Sequence, residues 1–189
     1  ENNKLNMKIE NLEEKQVAHT INNNNNTINN TQNNTINNNN NIIVNCYGKE
    51  DLSHITDEVM DDLIRGPGTM ISKLTELIHF NKDKPENMNM FIPNRRDKYI
   101  RTLINKEWLL ENRRIKIQEL LMRSFGMIDE HYSRNENKYS NFNKTYYNII
   151  NNGIDTDNKR IWREQSNLIE TSILNGTDKY KDNFIDLGS

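Results

Sequence analysis

Residues 87–110 read NMNMFIPNRRDKYIRTLINKEWLL, and their periodicity decides the fold class. Met88, Met90 and Ile92 alternate with Asn87, Asn89 and Phe91. A period of two sends successive side chains to opposite faces of a strand. Asn94-Arg95-Arg96-Asp97 then offers turn residues, and Tyr99–Ile104 and Glu107–Leu110 follow as two further strand-forming runs. Only Asn105-Lys106 separates those runs, the length of a tight hairpin turn. The stretch predicts a three-stranded antiparallel meander.

Helical patterns flank it on both sides. Thr56, followed by Asp57 and Glu58, starts a helix: a capping hydroxyl and then acids in the first turn. Val59, Met60, Leu63 and Ile64 give that helix an apolar face, and Gly66-Pro67-Gly68 stops it. Met70, Ile71, Leu74, Leu77 and Ile78 mark a second helix. After the meander a long helix begins near Asn112, carrying Ile115, Ile117, Leu120, Leu121, Phe125 and Ile128. Two helices, a meander and a helix make an α+β head over residues 46–132. Residues 133–189 read as a polar helical tail with two apolar stripes, both expected to be packing surfaces. One stripe is Tyr139, Phe142, Tyr146, Ile149 and Ile150. The other is Ile161, Trp162, Gln165, Leu168, Ile169 and Ile173, ending at Asn175-Gly176.

The first 45 residues follow different rules. Leu5, Ile9 and Leu12 are spaced four and three, with Gln16 and His19 in the same register. That is the seam of a short coiled coil over residues 1–19. Residues 22–41 then hold fourteen asparagines in twenty positions. Thr-Ile pairs recur at Thr20-Ile21, Thr27-Ile28 and Thr35-Ile36, with Thr31-Gln32 between. β-Branched residues favour extended backbone, and Asn tolerates the turns between short strands. Such a tract has no apolar core of its own, and an ordered form needs a partner for every amide. The expectation for residues 20–45 is an intertwined β stalk. Three chains are favoured over two because a threefold winding pairs strand edges all round. Ile42, Ile43 and Val44 are expected to form a short buried strand leading into the head. The predicted oligomer interface is Leu5, Ile9, Leu12, Ile21, Ile28, Thr31, Ile36, Ile42 and Val44. Glu1 falls inside the heptad pattern, which reads as a fragment of a longer protein.

Composition narrows the chemistry. Lys and Arg number 25 against 27 Asp and Glu, so no global charge draws the chain to nucleic acid. A single cysteine, Cys46, excludes an internal disulfide and an all-cysteine zinc site within one chain. No apolar run reaches the ~18 residues of a membrane span. Phosphate loops, nucleophile elbows and HExxH are absent from the sequence. His79 with Asn81, Glu86, Asn87 and Asn89 has the residue types of a His/Asn metal-dependent nuclease, without a second His nearby. The structural alternative makes Pro85-Glu86-Asn87 a turn and His79 a cation at a helix C-terminus. Arg95, Arg96, Lys98, Arg101, Arg113 and Arg114 form a candidate phosphate-binding surface, with Tyr99 and Trp108 as base-stacking candidates. Asp57, Glu58, Asp61 and Asp62 form an acidic face of similar density. No catalytic residue, cofactor or metal ligand is assigned.

At His79-Phe80-Asn81-Lys82-Asp83-Lys84-Pro85-Glu86-Asn87-Met88-Asn89 the chain resembles a domain of large nucleocytoplasmic DNA viruses, mimivirus-like and phycodnavirus-like. Further matching pieces are Tyr47-Gly48-Lys49-Glu50-Asp51-Leu52, Ile55-Thr56-Asp57, Ile92-Pro93-Asn94, Asp97-Lys98-Tyr99 and Trp108. With the Asn tract they span about residues 20–132. The resemblance implies a viral setting. It also implies an order of zinc-finger-like N-terminus, coiled coil, Asn-rich tract and this domain. It transfers no catalytic residue. The leading expectation is a non-enzymatic homotrimer acting as an assembly, scaffold or attachment module, in the virion or in the viral factory of the host cytoplasm. Its partners would be itself and other viral structural proteins, with no membrane contact. The alternatives are the oligomerising part of a viral DNA-binding or regulatory protein, and the His/Asn nuclease.

Overall fold

The computed structural model describes residues 43–66 and 68–184. Leu5, Ile9, Leu12, Ile21, Ile28, Thr31, Ile36 and Ile42, and with them the coiled-coil and stalk expectations, lie outside the described residues. Within them the fold is α+β: five helices around one three-stranded antiparallel sheet.

Helix α1 (Asp57–Arg65) begins where the sequence predicts it. The Thr56 hydroxyl accepts from the Val59 amide at 3.4 Å, and Asp57 and Glu58 occupy the positive end of the helix dipole. Its buried face is Met60, Leu63 and Ile64. Helix α2 (Met70–His79) is central. Ile71 and Leu74 are fully buried, each contributing about 1.5–3 kcal/mol through burial. A 3-10 turn, Pro85–Asn87, leads into β1 (Met90–Phe91), β2 (Tyr99–Ile104) and β3 (Glu107–Asn112). The sheet order is β1-β2-β3, with Met90 opposite Thr102 and Arg101 opposite both Phe91 and Leu110. Asn105 and Lys106 both have positive φ, 51° and 68°, as the tight hairpin turn requires.

The first strand is shorter than its alternation suggests. Residues 88–92 are buried on both faces, because a C-terminal helix covers the outer edge. That helix is α5 (Lys159–Lys179), where the Thr177 hydroxyl accepts from the Ile92 amide at 3.2 Å. Helix α3 (Arg113–Asn135) starts at Asn112, whose side chain accepts from the Ile115 amide at 3.2 Å. Ser140 caps α4 (Asn141–Asp155) and Asn158 caps α5.

Four expectations for the flanks are corrected. The C-terminal helices are no tail beyond residue 132. Ile150, Ile154, Ile161, Ile169 and Ile173 belong to the same core as Leu74 and Leu120. The buried face of α4 is Tyr147, Ile150 and Ile154, while Phe142 and Ile149 are 67% and 51% exposed. The reason is Gly153: a Cβ there would lie 2.6 Å from the Ile161 Cγ1, so this face of α4 must meet α5. Helix α5 also runs past Asn175-Gly176, where Gly176 touches the Phe80 ring instead of stopping the helix. At the other flank, Ile43 and Val44 form no strand. Ile43 is 87% exposed and Val44 half-buried, and regular contact with the body starts only at Asn45.

Candidate functional site

The motif residues meet at the C-terminal end of α2. The Glu50 side chain has no solvent exposure. Its Oε1 accepts from the Gly48 amide at 3.0 Å and from Asn89 Nδ2 at 2.8 Å, and its Oε2 accepts from Arg123 Nη2 at 2.6 Å. Because the amide nitrogen of Asn89 faces a carboxylate, its oxygen faces His79 Nδ1 at 3.0 Å, and that ring nitrogen carries the hydrogen. Burial alone would raise the Glu50 carboxyl. The Arg123 hydrogen bond, the charge of His79 once it is protonated, and the hydrogen bonds from Asn89 and the backbone outweigh it, holding the group at about 2. Burial pushes His79 down to about 4 against the pull of Glu50, so the ring is neutral at pH 7. The expected helix-end cation is therefore corrected: desolvation outweighs the helix dipole.

Beside this group, Asn87 fixes the incoming segment. Its Oδ1 accepts from the Asp51 amide at 2.9 Å and from Asn45 Nδ2 at 3.0 Å, while its Nδ2 donates to the Asp51 carbonyl at 2.7 Å. The Asn45 amide donates to the Glu86 carbonyl at 2.7 Å, and the Tyr47 amide to the Leu103 carbonyl at 2.8 Å. Lys84 pairs with Asp51. The Tyr47 ring stacks on His79 at 6.0 Å, and Lys116 Nζ lies 4.1 Å from its centroid. Lys116 is itself buried, paired with Glu111 at 3.0 Å and Glu119 at 2.8 Å. These bonds do one thing chemically: they clamp residues 45–51 to the helical body.

The nuclease-like histidine is enclosed in the fold and apart from the other histidines. His79 is 2% exposed. His54 Nε2 is bonded to the Leu77 carbonyl at 2.8 Å, and His131 Nε2 to Asp61 at 2.8 Å, so neither joins the His79 network. Among the described residues no group of His, Cys, Asp and Glu is arranged to hold a metal. Asp61 also accepts from the Tyr139 hydroxyl at 2.6 Å, so one member of the acidic face is spent inside the fold.

The six candidate phosphate contacts divide. Lys98, Arg113 and Arg114 line a groove of about 1160 Å³ between the first turns of α3 and the first half of α5. Arg95, Arg96 and Arg101 do not line it; Arg95 is paired with Asp178 on α5. Sequence reading missed the α5 side of the groove, Lys159, Trp162 and Arg163. The available signal was two cations four residues apart on a capped helix. Ile115 and Met122, also lining the groove, are 64% and 49% exposed. Trp108 is corrected as a base-stacking candidate: its ring lies edge-on to Phe91 at 5.3 Å and contacts Phe184. Tyr99 remains exposed, as do Leu109 and Leu110 on the outer strand β3.

No protein-family model matches the chain, and neither a curated protein nor a solved structure is significantly similar to it.

Proposed function

We propose that this chain is a non-enzymatic assembly or attachment module of a large nucleocytoplasmic DNA virus. In this proposal three copies are joined through residues 1–42 and present the α+β head. The observation that carries it is the clamp. Immediately after the Asn-rich tract, Asn45, Tyr47 and Asp51 are bonded to Asn87, Glu86 and Leu103, so the tract is tied to a fixed point on the head. A stalk needs such an attachment, and Glu86 and Asn87 are spent on making it, with the His79 ring stacked on Tyr47. The exposed edge strand β3, with Leu109 and Leu110, adds surface suited to contacts between chains.

Light scattering on the purified chain tests this. The expected mass is three times the 22.4 kDa of one chain. Deletion of residues 1–41 is expected to leave a folded monomer, because Asn45 and all the clamp residues are retained. A monomer mass for the intact chain would sink the proposal. The second reading, the oligomerising part of a DNA-binding protein, is favoured by one observation: Lys98, Arg113 and Arg114 share a single groove.

A further inference from the structure

The groove between α3 and α5 has a charge balance that the whole chain lacks. Of its carboxylates, Glu170 is paired with Arg113 at 3.4 Å and Glu119 with Lys116 at 2.8 Å. Lys98, Arg114, Lys159 and Arg163 make no ion pair among the described residues, and against these four stands one unpaired carboxylate, Asp157. The cations come from the β2 approach, the start of α3 and the start of α5, so they flank the groove on both sides.

The groove also presents apolar side chains. Ile115 and Met122 are seven residues apart on α3, hence on one face two turns apart, and both are exposed. Across from them lies the half-buried Trp162, whose indole nitrogen donates to the Ile154 carbonyl at 3.4 Å, leaving the ring as apolar surface. The two-turn spacing of Ile115 and Met122 is within the reach of a partner helix of about ten residues.

We propose that this groove binds a short amphipathic helix of a partner protein, with its apolar face on Ile115, Met122 and Trp162 and acidic flanks on Lys98, Arg114, Lys159 and Arg163. A phosphate backbone fits less well. It would set charge against Ile115 and Met122, and the neighbouring Arg95, whose carbonyl accepts from Arg113 at 3.0 Å, is itself paired with Asp178. The inference deepens the attachment part of the proposed function without resting on the number of chains, since a monomer would carry the same groove.

The test is a titration of the intact chain with a labelled peptide of about ten residues, leucine on one helical face and glutamate on the flanks. The readouts are peptide anisotropy and tryptophan emission. Saturable binding is expected. Ile115→Asp and Arg163→Glu are each expected to weaken it about tenfold or more. Both sites are on the surface, so an unchanged thermal midpoint separates lost binding from lost folding. No binding, equal binding of a scrambled peptide, or tighter binding of a single-stranded or duplex oligonucleotide would overturn the proposal. So would a change in the chain's own mass with Ile115→Asp, which makes a second copy the occupant.

Discussion

Glu50 and His79 lie within one hydrogen-bonded group yet answer to pH in separate windows. His79 is held at about 4, against an ordinary value of 6.5. Between those values the unfolded chain binds a proton that the folded chain refuses. Stability therefore falls as pH drops below about 6.5, with a full cost on the order of 3 kcal/mol near pH 4. Glu50 is held at about 2, against an ordinary 4.5, so its contribution is lost from about pH 4.5 downward. Urea midpoints measured from pH 7 to pH 4 should decline, and His79→Gln should remove the upper part of that decline. An equal slope in the variant would show that another group is responsible. The types and order of these residues are visible in the sequence, but their role is not. Arg123, which determines the state of Glu50, lies 73 positions away on a helix whose apolar pattern gives it no prominence.

At the scale of elements, two glycines in helices have opposite consequences. A Cβ at Gly176 would overlap the buried ring of Phe80, the residue that follows α2, whereas one at Gly126 of α3 meets nothing within 4 Å. Gly176→Ala is expected to cost about 1–3 kcal/mol through overpacking. Gly126→Ala is expected to stabilise by about 0.5–1 kcal/mol, as alanine does in an exposed helix interior. Thermal melts of the two variants should move in opposite directions, and a matching fall in both would contradict the close approach of α5 to α2. The same contact shows why the end of α5 was misread. Gly after Asn resembles a stop signal when only local rules apply, and the helix continues because the packing of Phe80 requires a residue without a side chain. Where local chemistry decides, the sequence was sufficient: Thr56, Asn112 and Asn105-Lys106 set their caps and turn without help from distant residues.

For the molecule as a whole, the boundary expected near residue 133 has no counterpart in the packing. Helix α5 lies against α2, α3 and β1, and its Ile169 and Ile173 are fully buried. Ending the chain at residue 140 should therefore abolish cooperative unfolding, seen as loss of a sigmoidal circular-dichroism melt. A truncated chain that melts as sharply as the intact one would restore the tail as a separate piece. The α+β class was legible because the meander and the first three helices have strong periods. The membership of α4 and α5 was not legible, because their polar composition hides which of several faces is covered. The groove was hidden for the same reason: its two walls are about 45 residues apart in sequence and meet only through packing.

The clamp at Asn45–Asp51 also has a mechanical meaning. Load applied through residue 43 reaches the Asn45–Glu86 and Asn45–Asn87 bonds first, then Tyr47–Leu103, and only afterwards the apolar core. Those bonds lie on the carbonyls and amide of a 3-10 turn and a central strand, not on a free helix end. Tension entering at residue 43 is thus passed to the 3-10 turn and the central strand before any helix is peeled from its neighbours.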